Sequence, residues 1–377
     1  MESDISCETA ELVQREKGIK DREIAMNDLP VVSLMIATFN SYKILQKTLA
    51  AIEGQTYPKE KLEIIIVDGG STDQTLELAK AYGCVIYNNP KTEPVNAKLI
   101  GFNKAKGKYL ITIDHDEVIE NPDSILNKVN AAEKHPECKA VLCSGYKRPK
   151  DYPGLNQYIS EFGDPFSLFI YHFSKDYQFL HKVLRKYYTV TEETQNYIIV
   201  SFANMKKAPI FELCCLGTMI NKEYFKDFPH VQEDGAALVH LFYEMLEKGD
   251  KSIILMKNDP LTHYSVDSLK AYLPKLKWRI CNNVHFAEKG EMGFSGRAKY
   301  QKGVALKKYL FIPYALTLII PFVQGVGMAV SRRNSVYLLH PILSFYVAVQ
   351  ILYQYGRKVL GKTPEFTSYD GKKKIKR

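Results

Sequence analysis

The chain has 377 residues, 46% hydrophobic and 25% charged, which suits one large or two modest globular domains and excludes a disordered polymer. Its formal net charge is +9, and the ending Lys372-Lys-Lys-Ile-Lys-Arg377 fits either nucleic acid or an anionic membrane surface. Seven scattered cysteines with no C-x-x-C exclude a disulfide framework or zinc site and imply reduced thiols in a cytosolic compartment.

Residues 1–29 are charged and lack an apolar h-region, so a polar leader is expected there, not a secretory signal. Pro30 opens Val31-Val-Ser-Leu-Met-Ile-Ala37, a continuous apolar run of the kind found in parallel strands covered on both faces. It ends at Thr38-Phe-Asn-Ser41, before an amphipathic helix with Leu45, Leu49 and Ile52 on one stripe. A second strand, Leu62 to Val67, ends at Asp68-Gly-Gly-Ser-Thr-Asp73 and leads into a helix containing Leu76, Leu78 and Ala79. A short strand over Cys84 to Tyr87 and a helix over Asn96 to Ala105 follow, with Gly107 as the stop.

Tyr109 to Ile113 is the fourth strand, and it runs into Asp114-His-Asp116. Strand–helix alternation over this stretch predicts a doubly wound, mostly parallel α/β sheet. Polar groups recur after its strands, at Thr38 to Asn40, at Asp68 and at Asp114 to Asp116. Open α/β sheets bind ligands at that carboxyl edge. Two carboxylates there suit a Mg²⁺ or Mn²⁺ ion that carries phosphates. An isolated D-x-D is more often a polar turn, and the agreement of three strand ends is what argues otherwise.

A helix to Lys134 and a strand from Ala140 to Ser144 continue the core. Residues 147–207 are aromatic-rich and are expected to be an insertion packed over the sheet. Phe211 to Ile220 reads as strand-like, with Gly217 where a close backbone approach is useful. Val231-Gln-Glu-Asp-Gly235 precedes a helix over Ala236 to Lys248, and a last strand, Ser252 to Met256, leads to Leu261-Thr-His-Tyr264. A basic amphipathic helix over Leu269 to Val284 carries Lys275, Lys277, Trp278 and Arg279.

Together, Ser33-Leu-Met-Ile-Ala-Thr-Phe-Asn40, Val67-Asp-Gly-Gly-Ser-Thr-Asp73, Ala97-Lys-Leu-Ile-Gly-Phe102 and Asp114-His-Asp116 resemble the inverting family 2 glycosyltransferases of GT-A fold. Glu233-Asp234 and the Lys277-Trp-Arg279 helix extend the likeness, which covers roughly residues 30–285. The resemblance implies that Phe39 packs on the nucleotide base beside Ala37 and Thr38, and that Asp68 accepts a hydrogen bond from a base N–H. It places Lys98, where arginine is common, near the diphosphate as a point charge without bidentate geometry. Gly69 stands where the family has a second acid. Asp116 would hold the metal, and Asp114 would contact ribose, sugar or metal, with His115 between them as a packing neighbour. Asp234 is the implied catalytic base, because an inverting transfer needs one carboxylate to take the acceptor proton. Glu233 and Gly217 fall on the acceptor side, His263 near the metal, and Lys277, Trp278 and Arg279 at the diphosphate clamp. The cofactor implied is Mn²⁺ or Mg²⁺. The donor is a nucleotide sugar, with UDP the default and GDP the alternative.

Tyr309 to Val330 and Ser335 to Tyr355 are apolar stretches separated by Ser331-Arg-Arg-Asn334. Each is about 30 Å long as a helix, near one hydrocarbon thickness. Their prolines, glutamines and His340 leave open a spanning hairpin, a re-entrant or interfacial pair, and a soluble buried pair or oligomer interface. The basic flanks of 286–308 and 356–377 keep both ends on the cytoplasmic side. These segments favour a membrane over nucleic acid as partner, with a glycan or lipid-linked acceptor. The competing readings are a polyprenyl-phosphate sugar synthase, a nucleotidyltransferase, and a non-enzymatic scaffold subunit with a vestigial pocket.

Overall fold

The computed structural model describes residues 28–205, 209–285 and 300–365. Most of the polar leader, most of the 286–308 connector and the final basic run therefore lie outside the described residues.

The elements in chain order begin with β1 (Val32–Thr38), α1 (Tyr42–Glu53), β2 (Leu62–Asp68), α2 (Thr75–Ala81), β3 (Val85–Asn88) and α3 (Pro94–Lys104). Next come β4 (Tyr109–Asp114), β5 (Glu117–Ile119), α4 (Ser124–Lys134), β6 (Ala140–Leu142) and β7 (Gly145–Lys147). Three helices follow, α5 (Gly154–Phe162), α6 (Pro165–Tyr171) and α7 (Leu180–Tyr187), then β8 (Thr189–Glu193) and β9 (Tyr197–Ser201). The sheet-bearing part closes with β10 (Met219–Asn221), α8 (Lys222–Phe225), α9 (Gly235–Lys248), β11 (Ser252–Met256), β12 (Pro260–His263) and α10 (Leu269–His285). Four C-terminal helices complete it: α11 (Lys302–Lys307), α12 (Phe311–Leu316), α13 (Ile319–Arg332) and α14 (His340–Val359).

The main sheet has nine strands in the order β3-β2-β1-β4-β10-β6-β11-β9-β8. Its first four strands are parallel, as the alternation of strands and helices predicts. β1, β2 and β4 are buried on both faces, as their continuous apolar runs require. Register aligns the strand ends: Thr38 pairs with Asp68, and Ala37 with Asp114. The three polar ends thus share one edge. Beyond β4 the sheet is mixed, because β10 runs antiparallel to both β4 and β6.

Two sequence expectations are modified here. The 147–207 stretch does not simply cover the sheet: its second half supplies β8 and β9, which extend it antiparallel beyond β11. Of the strand-like run from Phe211 to Ile220, only its end pairs, as β10, while Leu216 and Gly217 adopt positive φ in a turn.

A smaller sheet, β5-β12-β7, sits beside the acidic strand end. In it His263 pairs with Glu117, the residue after Asp116. A second apolar core joins α5 and α6 to α10 and the C-terminal helices, through Tyr158, Phe162, Tyr272, Phe311, Tyr337 and Val347. The segment 308–332 is bent by 90° between Leu316 and Ile319, and Ser335–Val359 is the one described helix long and apolar enough to cross a membrane.

Candidate active site

The site is assembled on the carboxyl edge of β1, β2 and β4. Asp68 is buried and holds its own loop together: Thr38 Oγ1 donates to it at 2.9 Å, the Gly70 and Ser71 N–H groups at 2.8 and 2.7 Å, and Ser71 Oγ at 2.5 Å. Those four donors occupy the acceptor positions of one carboxylate, so in this state Asp68 acts as the turn's brace. The expected donation from a base N–H requires Ser71 or Thr38 to turn away. Phe39, half-buried, lies beside Gly69, where a methyl would stand 3.4 Å from its ring and 3.0 Å from Thr92. The missing second acid is thus a glycine in a tight place.

Lys98 projects from α3 and is buried, with Nζ 3.4 Å from Asp114 Oδ1 and 3.1 Å from Cys215 Sγ. Burial opposes its charge, but Asp114 and the Cys215 and Cys214 sulfurs outweigh it and raise the ammonium well above its ordinary value. The lysine therefore stays charged beside the first acid of the pair.

Asp116 faces a different set of groups. His263 Nε2 lies 3.7 Å from its Oδ2, and the Tyr264 N–H donates to its carbonyl at 2.7 Å. Burial alone would raise this carboxyl, yet His263, His115, Lys275 and a backbone N–H together bring it below the ordinary range. His263 is itself depressed, first by burial, with Asp116 and Asp114 pulling the other way. Ser160 Oγ is 3.0 Å from its Nδ1, Asn156 Nδ2 donates to its carbonyl at 3.2 Å, and its ring stacks on Tyr146 at 4.5 Å. His115 is half-buried, and its carbonyl accepts from Thr48 at 2.9 Å.

Two residues that sequence reasoning missed complete this end. Glu117 is buried, accepts from the Asp114 N–H at 3.0 Å and from Tyr146 OH, and so braces the turn between the two acids. Burial, then the Asp114 charge, raises it well above the carboxylate range. In sequence it is one more acid after D-x-D, and nothing local marks it as buried. Lys275 is the cation of α10 that reaches the electrostatic environment of Asp116 and His263. Of the expected clamp residues, Lys277 is exposed, Trp278 is half-buried, and Arg279 is 4.0 Å from Asp164 at the start of α6. Helical spacing explains the difference, since Tyr272 and Leu276 pin the buried face and Lys275 falls on its site-facing flank.

Gly217, expected on the acceptor side, is buried in a turn at φ +55, and a methyl added there would stand 3.4 Å from Leu261 and 3.8 Å from Ile113. Glu233 is exposed and 3.4 Å from His230. Asp234 is exposed ahead of α9, and its carbonyl accepts from Ala237 N–H at 3.1 Å. The next residue, Gly235, is so close to α3 that a methyl would fall 2.6 Å from Val95 Cγ1, one turn before Lys98. Asp234 therefore lies next to the first turn of α3, the helix that carries Lys98.

Among the described residues, no three His, Cys, Asp or Glu side chains form a closed metal cage. Asp116 with His263 alongside and Asp114 next in the turn offers a partial donor set. That fits Mg²⁺ or Mn²⁺, which take one or two carboxylates and draw the remaining oxygens from phosphate and water.

Residues 33–205 match the model described as glycosyl transferase family 2, just under half of the chain. Glycosyltransferase AglE of Haloferax volcanii is 33% identical over 94 residues, 23% of this chain and 31% of that protein. A Methanococcus voltae protein named dolichyl N-acetyl-alpha-D-glucosaminyl phosphate 3-beta-D-2,3-diacetamido-2,3-dideoxy-beta-D-glucuronosyltransferase is 39% identical over 87 residues, 21% of this chain and 27% of that one. The matched stretches thus span about a third of the length of these curated relatives. Among solved structures, a mannosyltransferase from Pyrobaculum calidifontis in complex with GDP-Man and Mn²⁺ overlaps with a TM-score of 0.47 at 15% identity, over 88% of this chain and 90% of that one. The parallel strands, the aligned polar ends and Asp68, Lys98, Asp114 and Asp116 all fall within residues 33–205, the stretch that is similar to glycosyl transferase family 2.

Proposed function

We propose that the chain is a metal-dependent inverting glycosyltransferase that moves a sugar from a nucleoside-diphosphate sugar to a hydroxyl of a glycan or lipid-linked acceptor at the cytoplasmic face of a membrane. The observation that supports this most is the open acid pair on the sheet edge. Asp114 and Asp116 each have a cationic or imidazole partner at 3.4 or 3.7 Å, beyond close hydrogen-bond range, and Lys275 adds positive potential nearby. Such an arrangement leaves carboxylate oxygens available beside groups that attract a diphosphate.

In this reading Asp116 would hold the cation that carries the diphosphate, with His263 alongside it. A bound Mg²⁺ or Mn²⁺ would supply charge stabilisation to the departing nucleoside diphosphate. Lys98 fixes Asp114 and adds positive charge on the α3 side. Phe39 and the Asp68 loop border the place of the nucleotide base, with uridine the default and guanosine the alternative. Asp234, exposed ahead of α9, accepts the proton of the attacking hydroxyl. Separating the metal acid from the base allows the acceptor to enter opposite the leaving group, as inversion requires.

The test is a panel of UDP- and GDP-sugars, with and without Mn²⁺ or Mg²⁺, followed by determination of the product anomer. Turnover that needs the metal and inverts the anomeric centre is expected. No donor turnover across the panel would sink the catalytic reading in favour of a scaffold subunit. A retained anomer or full activity in chelator would sink the mechanism.

A further inference from the structure

We propose that the C-terminal helices form an in-plane docking surface for an anionic lipid bilayer, so that the chain rests on one leaflet instead of crossing it. The inward side of these helices is committed to the catalytic domain. Arg332, at the turn between α13 and α14, donates to Glu161 of α5 at 2.7 Å, and Asn334 to Gln157 at 2.9 Å. His340, at the start of α14, sits between Tyr158 at 2.7 Å and Tyr314 at 2.8 Å. At the other end of α14, Gln354 meets His285 at 3.1 Å and Lys358 donates to Val284 at 2.8 Å. Both ends of the longest apolar helix are thus bonded to one body. A spanning helix would separate them by a bilayer thickness of about 30 Å. The 90° bend before α13 likewise turns the first apolar segment away from a straight span.

The outward side is apolar. On α13, Ile319, Phe322, Val323, Val326 and Val330 are exposed at helical spacing, opposite the buried Pro321, Gly325 and Met328. On α14, Ile342, Phe345, Val349, Leu352 and Tyr353 form a second exposed stripe, opposite Leu343, Val347 and Ala348. The two helices share the core beneath them, so both stripes face away from it. A contiguous apolar patch of this kind needs a cover.

Charge selects the occupant. From Tyr300 to Pro364 the chain has eight lysines and arginines and no aspartate or glutamate. Lys308, Arg333 and Lys362 flank the stripes, with the exposed Tyr309, Tyr353 and Tyr355 among them. Cations around an apolar face, with tyrosines at its edges, match an anionic headgroup layer over acyl chains. A second copy of the same face would bring like charges together.

The test needs no sugar donor, so it can fail while transfer succeeds, and the reverse. Full-length protein is sedimented with phosphatidylcholine vesicles, with and without roughly a third phosphatidylglycerol. Binding to the anionic vesicles, weakening as salt rises and released by alkaline carbonate, is expected. The double variant Val323→Glu/Ile342→Glu should bind about tenfold more weakly or worse with an unchanged melting temperature, and Lys308→Glu/Lys362→Glu should lose the anionic preference. The proposal is overturned if wild-type protein ignores both vesicle types, if binding is insensitive to salt, or if carbonate fails to extract it. It is equally overturned if lipid-free protein is a dimer that Val323→Glu/Ile342→Glu converts to monomer. If that variant misfolds, the salt and carbonate results on wild type still decide.

Discussion

Two clusters of buried charge in this molecule use the same chemistry to opposite ends. At the seam between α5 and the C-terminal helices, Glu161 is fully buried and closed on all sides, by Arg332 at 2.7 Å, Ser174 at 2.7 Å and Tyr337. At the sheet edge, Asp114 and Asp116 keep partners at 3.4 and 3.7 Å, and Asp114 is 36% exposed. A saturated carboxylate has no capacity left for a ligand, while an unsaturated one beside fixed cations does. The difference separates a closed ion pair from one open to a ligand without reference to sequence position.

The largest effect should come from opening the closed cluster. Arg332→Ala leaves Glu161 buried without its cation and should cost about 3–5 kcal/mol of stability by calorimetry. Adding Glu161→Gln should restore part of that loss. A loss under about 1 kcal/mol would place the seam among weak surface pairs.

Removing charge from the open cluster should act on rate instead. Asp116→Asn should lower kcat by about 10²–10³-fold, about 3–4 kcal/mol of barrier, with a melting temperature unchanged or slightly lowered. An Asn variant within tenfold of wild type would remove Asp116 from the donor site. Asp234→Asn should cost about 10²-fold in kcat with the donor KM unchanged. Near-normal turnover there would favour an acceptor that is already ionised, as a polyprenyl phosphate is.

The smallest effect is a pH dependence at the seam. Asp176, beside Glu161, is raised to about 6, mainly by burial. Between about pH 4 and 6 the folded state therefore binds more protons than the unfolded one, and stability falls as pH rises through that window. Asp176→Asn should remove the loss, stabilising the protein by about 1–3 kcal/mol at pH 7 and by little at pH 4. Thermal melts at both values check the sign.

The parallel half of the sheet was legible because β1, β2 and β4 are mostly apolar runs that end in polar turns. The acid pair was legible for the same reason, as the polar end of β4. β8 was not, since Thr189-Val-Thr-Glu-Glu193 is an exposed edge strand with little apolar content. Lys275 was passed over for Lys277 and Arg279 because its direction depends on how α10 is rotated against α5 and α14. Glu117 needed the pairing of β5 with β12, a contact across more than a hundred residues. The mixed sheet and the bent C-terminal segment are likewise products of long-range packing, to which local periodicity is blind.

α5 places Ser160 against His263 and the adjacent Glu161 against Arg332. This has a practical consequence for anyone preparing the enzyme in soluble form. Cutting the chain before α11 would strip Glu161, the residue after the Ser160 that supports His263, of its cation and uncover Tyr158 and Phe162. Recoding the outer stripes of α13 and α14 with polar residues removes the greasy surface and keeps that support in place.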